Sequence, residues 1–229
     1  VSDIEPRDPL SQAGQDPDKR LQILAGAREV FLERGFDAAS MGDIARTAGV
    51  SKGTLYVYFE DKVDLFTALV TSECAETAER TFVLDTSDQD IEAALNKLGH
   101  SFIEAMVRPS HIATVRTVIA IAGKFPEIGR RFFEAGPCEG IKRLSAFLRI
   151  KVAEGVLEID DVEIAASQFF ALCKDAVTTP ILIGCVAPPD CDYTRRVVRK
   201  AVDFFLCVYG AEQNAARRRQ SRADAAAAS

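Results

Sequence analysis

Tryptophan is absent from the 229 residues, and methionine and histidine occur only twice each. The six cysteines, at 74, 138, 173, 185, 191 and 207, are irregularly spaced, with no C-x-x-C pair. With only His100 and His111 to help them, no closed structural zinc site is expected. No metal or cofactor is expected either, and the thiols read as free, small apolar core residues. No apolar run reaches the ~18 residues of a membrane span. Val1 to Gln15 is acidic and carries prolines without an apolar centre, so no secretory signal is read there and a cytoplasmic location is expected. Strict apolar/polar alternation is lacking, as are Asn-Gly and Asp-Gly hairpin signals, which argues against strands. Charge of neither sign dominates: 28 Lys and Arg against 34 Asp and Glu give −6, with 48% apolar residues. That balance fits a folded globular chain and excludes whole-chain disorder.

What is present is helical periodicity with helix punctuation. Asp18 is expected to cap a helix whose apolar stripe is Leu21, Leu24, Ala27 or Arg28, and Phe31, with Gly35 as its stop. Ser40 with Asp43 reads as a capping box; Ser51 and then Asp61 with Asp64 open the next two helices, the second reaching about Leu84. Later helices are expected from Asp88 to Val107, from His111 to Lys124, and from Pro126 to Ala135. Gly136-Pro137 is expected to end that last one and start another running to Glu154. Asp160 or Asp161 caps a helix to Gly184. A loop at Pro188-Pro189-Asp190 precedes a final helix carrying Val198, Ala201, Val202, Phe205 and Tyr209. These last two helices are apolar on more than one stripe, so each is expected to pack on two sides.

The stretch Ser40-Met-Gly-Asp-Ile-Ala-Arg-Thr-Ala-Gly-Val-Ser-Lys-Gly-Thr-Leu-Tyr-Val-Tyr-Phe59 carries the chemistry. Two short helices flank a turn at Ala48-Gly49-Val50, with small Ala45 where the helices cross and Ile44, Ala48, Val50, Leu55 and Tyr58 at burial positions. This is a helix-turn-helix, which presents its second helix to the major groove. Residues 18–69 closely resemble the DNA-binding domain of TetR-family transcriptional regulators. The resemblance implies an all-α chain: a three-helix helix-turn-helix domain, then a helical ligand-binding and dimerisation domain. The expected division is a flexible arm (1–17), a DNA-binding domain (18–63), an effector and dimerisation domain (64–213) and a basic, Ala-rich tail (214–229). It implies DNA contacts from Lys52, Gly53, Thr54, Tyr56 and Tyr58, with Ser40 and Lys62 holding phosphates. Tyr58 could equally be core at the helix crossing. Between 17 and 62, Lys19, Arg20, Arg28, Arg34, Arg46, Lys52 and Lys62 are matched by Asp18, Glu29, Glu33, Asp37, Asp43, Glu60 and Asp61. The domain is therefore neutral, and binding must come from charge arrangement and dimer geometry.

Residues 115–175 are similar to the effector domain of AcrR- and AefR-like members. That resemblance implies no enzymatic activity, a homodimer through the last two helices, and a palindromic double-stranded operator. It also implies a small hydrophobic or aromatic effector that releases a repressor. The resemblance suggests control of a multidrug efflux operon, with control of acyl or aromatic metabolism as the alternative. Candidate pocket residues are Phe102, Met106, Val118, Ile121, Phe125, Phe133, Phe169, Phe170, Cys173 and Val177, with Arg116, Asp175 and His111 as polar groups. Plain core is the competing reading for each apolar one. Gly49-Val-Ser-Lys-Gly53 fits G-x-S-x-G, but the segment entering it is helical where a hydrolase elbow needs a strand. The Arg217–Arg222 cluster reads as a solvated tail.

Overall fold

Proline fixes where the first helix begins. In the computed structural model, which describes residues 16–85, 90–186 and 190–211, α1 spans Pro17–Ala38. The cap is Asp16, whose carboxylate accepts from the Asp18 amide at 2.9 Å. The expectation of Asp18 fails because Pro17 takes the first helical position, where its missing N–H costs nothing, so the cap must precede it. Gly35, at φ +74, turns the chain, and Phe36 stacks back on Phe31 with centroids 5.9 Å apart. The buried stripe of α1 is Ile23, Leu24, Ala27, Val30 and Phe31; Leu21, expected on it, is exposed.

Next come α2 (Met41–Thr47), α3 (Lys52–Tyr58) and α4 (Lys62–Thr81), capped by Ser40, Ser51 and Asp61. Then follow α5 (Ile91–Met106), α6 (Pro109–Ala122), α7 (Pro126–Phe133), α8 (Glu139–Ala153), α9 (Val162–Leu182) and α10 (Cys191–Tyr209). α5 is capped by Asp90; Asp88, expected there, lies outside the described residues. α6 starts at Pro109 rather than His111, again because proline suits a first turn. Gly136-Pro137 does not end a helix. A single π turn, Glu134–Cys138, carries α7 into α8 and absorbs the proline in its wider backbone. Asp161 caps α9 with two amide bonds. The stop at Gly184 has φ +77, and Pro188-Pro189 falls outside the described residues. So do the arm up to residue 15 and the 214–229 segment with Arg217–Arg222.

Among the described residues the chain is all-α, apart from an isolated bridge between Leu157 and Gly210 that ties the α8–α9 turn to the end of α10. The apolar side chains form two cores. One joins α1, α2, α3 and the first half of α4, and also takes Val118 and Ile121 of α6 and Ile128 of α7. The other joins α5, α8, α9 and α10 around Phe147, Phe169 and Phe205. The first core therefore does not stop at residue 63: Leu65, Phe66, Leu69 and Val70 belong to it. Of the cysteines only Cys173 is buried; Cys138, Cys185, Cys191 and Cys207 are exposed, so the core reading fails for these four, which sit on outward helix faces and turns. Among the described residues no helix is long and apolar enough to cross a membrane, and no three His, Cys, Asp or Glu side chains group as a metal site.

The closest approach in the first core is α1 over the turn after α2. A Cβ added at Gly26 would lie 2.7 Å from the Ala48 backbone. We expect Gly26→Ala to destabilise the protein by ~1–3 kcal/mol, because backbone cannot yield as a side chain can. Gly123→Ala should be neutral or slightly stabilising, since an added Cβ there meets nothing within 4 Å. Urea unfolding followed by circular dichroism separates the two.

Candidate nucleic-acid interface and ligand cavity

The α2–α3 unit is built from local signals. Ser51 caps α3 by accepting from the Thr54 amide at 3.0 Å, and Gly49 makes the turn at φ +65. Gln22 of α1 braces that turn, donating to the Ala48 carbonyl. Ile44, Ala45, Ala48, Leu55 and Phe59 are buried at the crossing. This leaves one face of α3 outside: Lys52, Gly53, Tyr56 (53% exposed) and Val57 (64% exposed), with Thr54 partly covered. Val57 was not anticipated; an apolar residue beside Tyr56 looks like core until the crossing angle is known.

Three residues expected at phosphates or bases are otherwise engaged. Ser40 donates its hydroxyl to Asp43 at 2.7 Å while accepting the Asp43 amide, so its proton is not free for a phosphate. Lys62 directs its ammonium to the carbonyls of Phe36, Asp37 and Ala39 at 2.6–3.1 Å and lies over the Phe36 ring. An ammonium has three donors, and all three are occupied, so Lys62 clamps the start of α4 to the chain leaving α1. Tyr58 is half-buried, and its hydroxyl accepts the Asp16 amide at 3.1 Å, which favours the packing reading and joins α3 to the start of α1.

Other placements were not legible. A Cβ on Gly42 would lie 2.9 Å from Lys52 Cε and 3.2 Å from its Nζ, so the Lys52 side chain crosses Gly42 toward the start of α2. Arg34 and Arg46 are both paired with Asp43. That carboxyl titrates below its usual range, through the Ser40 hydroxyl first and then Arg34 and Arg46. Lys19, Arg20 and Lys52 make no ion pair among the described residues. Arg20 lies over the Phe59 ring, next to the exposed face of α3. A neutral domain thus presents its unpaired cations on one side. The hint was a basic pair directly after the first helix cap.

The second feature is a cavity of about 620 Å³ between α4, α5, α6, the π turn, α8 and α9. Phe102, Met106, Phe133, Phe170, Asp175 and His111 line it, as expected. Val118, Ile121 and Phe125 do not; the second half of α6 and the start of α7 rest on the first core, where Phe125 meets Phe36. Phe169, Cys173 and Val177 face the second core instead, one helix face away. Arg116 donates to the Ile181 and Leu182 carbonyls, neutralising the end of α9. The wall also holds Phe82, which packs on Phe102 and Phe170, and a polar chain from Arg28 to Glu73 (2.8 Å) to Thr114 (3.1 Å). Cys74 beside it is a neutral thiol, pushed up to about 12 by burial and then by Glu73.

His111 titrates at about 4, lowered by burial and then by Lys174 and Arg108. The unfolded chain takes a proton there near 6.5, whereas the folded chain resists it. Stability contributed by neutral His111 is therefore full above 6.5 and falls as pH drops toward 4. His111→Gln should lose less thermal stability than the parent across that interval; equal losses in melting curves would remove His111 as a cause.

Residues 23–69 match the family described as bacterial regulatory proteins, tetR family, and residues 93–211 match the C-terminal domain of AefR-like transcriptional repressors. The fatty acid metabolism regulator protein of Bacillus subtilis is 36% identical over 168 residues, 72% of this chain and 84% of that protein. The HTH-type transcriptional repressor BepR of Brucella suis is 34% identical over 87 residues, 38% of this chain and 41% of BepR, so under half of BepR's length is matched. Among solved structures, a TetR-family regulator from Mesorhizobium loti aligns with TM-score 0.80 and 26% identity, covering 84% of this chain and 97% of that one. The flavonoid-responsive regulator FrrA aligns with TM-score 0.73 and 33% identity, covering 85% and 98%.

Proposed function

The chain belongs to the TetR family of DNA-binding transcriptional regulators, and from that premise we propose a repressor that grips a palindromic operator as a dimer and lets go when a small molecule fills the cavity. In this reading residues 18–63 form the DNA-binding domain and residues 64–213 the effector and dimerisation domain. The observation that carries it is the path of α4. Its first half lies in the core beneath the recognition helix, and its second half, from Glu73 to Ala78, lines the cavity. The Arg28–Glu73–Thr114 chain crosses the same boundary, from α1 to α4 to α6. A ligand that displaces Glu73 or Thr114 changes what holds α1 to α4, and a coupling of about 1–3 kcal/mol suffices to change operator affinity from fivefold to a hundredfold.

Dimerisation is assigned to α9 and α10. Ile164 and Leu172 on α9, and Phe204 and Val208 on α10, recur at helical spacing and are exposed in the single chain. Two copies joined there can place two α3 helices in successive major grooves, ~34 Å apart. Lys52, Gly53, Thr54 and Tyr56 then face the bases and Lys19 and Arg20 the backbone, so a neutral domain binds by placement. The genes controlled are those for efflux, or for metabolism, of a hydrophobic compound. The phenylalanine-lined wall favours a metabolic acyl or aromatic ligand, and so do two relatives, one a regulator of fatty acid metabolism and one responsive to flavonoids.

Fluorescence anisotropy on the chain's own upstream DNA tests the reading. Binding should be tight and salt-dependent, and Lys52→Ala with Tyr56→Ala should weaken it at least tenfold. Binding no tighter than to random DNA would sink it for that promoter and shift the search to genome-wide selection of bound fragments. Arg28→Met should lower the ratio of operator affinities without and with a releasing flavonoid or fatty acid by about fivefold or more. An unchanged ratio would show that the Arg28 ion pair is not the coupling.

A further inference from the structure

The cavity wall is not uniformly apolar, and its charges are unevenly placed. Arg28 is paired with Glu73 and lies 3.9 Å from Glu76, and with Arg80 in the same wall the two cations and two carboxylates of α1 and α4 balance. Asp175 accepts from the Thr179 hydroxyl. Arg108 and Lys174 also line the cavity and make no ion pair among the described residues. Both lie close enough to His111 to act on its titration, and Asp175, next to Lys174 in the chain, is the acid that lines the cavity on α9. His111 itself is neutral at physiological pH, so it does not compete for the role of fixed cation and can donate or accept a hydrogen bond. Arg108, Ser110 and His111 also form the start of α6, a helix with no side-chain cap and no acidic residue in its first turn. Its positive end therefore adds to the two cations rather than being cancelled by the chain.

The aromatic wall lies one helical turn away. Phe102 and Phe170 stand 4.7 Å apart between ring centroids, with Phe82 against both. On α9, Phe170 is followed at i+4 by Lys174, so both project from one face, ~6 Å apart along the axis. On α5, Phe102 is followed by Met106 and then by Arg108 at the loop. Going from apolar to cationic across so short a distance selects a molecule with the same division.

We propose that the ligand is an amphipathic organic anion, with its acyl or aryl part against Phe102 and Phe170 and its carboxylate or phenolate against Arg108, Lys174 and the start of α6. This rests on the reading of the cavity as the effector site and narrows it to a charge and an orientation. Neutral and cationic hydrophobes of the same size make no ion pair with Arg108 or Lys174.

Isothermal titration with matched pairs tests it, using full-length protein whose operator binding has been checked in the same preparation. The probes are decanoate with 1-decanol, and 2-naphthoate with 2-naphthamide. Each anion is expected to bind at least tenfold tighter than its neutral twin. Lys174→Met and Arg108→Met should each remove most of that gap while leaving the neutral twin's affinity within about twofold. Lys200→Met, an exposed α10 residue away from the cavity, should keep the gap. Equal binding of twins, a gap that survives both substitutions, or no binding of either anion at millimolar concentration overturns the proposal. Anion binding that leaves operator affinity unchanged would uphold the ligand class and count against the release mechanism. Release of operator by a neutral compound alone would do the reverse.

Discussion

α4 is shared by the core under α3 and by the cavity wall, as are α6 and, through Arg28, α1, and that sharing constrains the molecule. Its first half contributes Leu65, Phe66, Leu69 and Val70 to the core under the recognition helix. Its second half supplies Glu73, Cys74, Thr77 and Ala78 to the cavity. A helix hydrogen-bonded along its length moves as a unit over a few turns, so a shift imposed at one end is not absorbed before the other. Lys62 makes this consequential, because its ammonium pins the start of α4 to three carbonyls leaving α1.

The same constraint explains why a DNA-facing domain can be neutral. Its acids are held in local ion pairs and caps: Asp43 with Arg34 and Arg46, Asp16 and Asp61 at helix starts. Of the cations left without an ion pair, Arg20 and Lys52 lie beside or on α3. Long-range attraction to DNA is weak in a neutral domain, and in the proposed dimer affinity depends on how two copies are spaced. Small changes in the angle of α4 then matter to that proposed geometry.

Helix existence, the turn at Gly49 and the caps at Ser40, Ser51 and Asp61 were legible because each depends on a few neighbouring residues, whereas the cap of α9 was narrowed only to Asp160 or Asp161. Errors fell where a neighbour changed the outcome. Pro17 moved the first cap to Asp16, and Pro137 was carried through a π turn. The cavity was legible only in part. Phe102, Met106 and Phe170 look the same in sequence as Phe169, Cys173 and Val177, and only the rotation of α5 and α9 separates wall from core. The roles of Lys62 and Arg116 were hidden for a different reason: each bonds to carbonyls, which carry no signature of residue type. Arg28–Glu73–Thr114 joins residues 41 to 45 apart, beyond any local pattern.

His111 shows how the cavity's two characters depend on each other. Burial alone would lower its affinity for a proton; Lys174 and Arg108 lower it further, which means a positive field reaches into a partly enclosed space. In water such a field would be weakened by the solvent and screened over about 8–10 Å, but the aromatic wall of Phe82, Phe102 and Phe170 displaces solvent on one side. The apolar surface thus strengthens the field that an anionic group would meet. A wholly apolar pocket would hold hydrophobes without discrimination, and a wholly charged one would hold water. The arrangement seen here favours molecules that carry both parts about one helical turn apart.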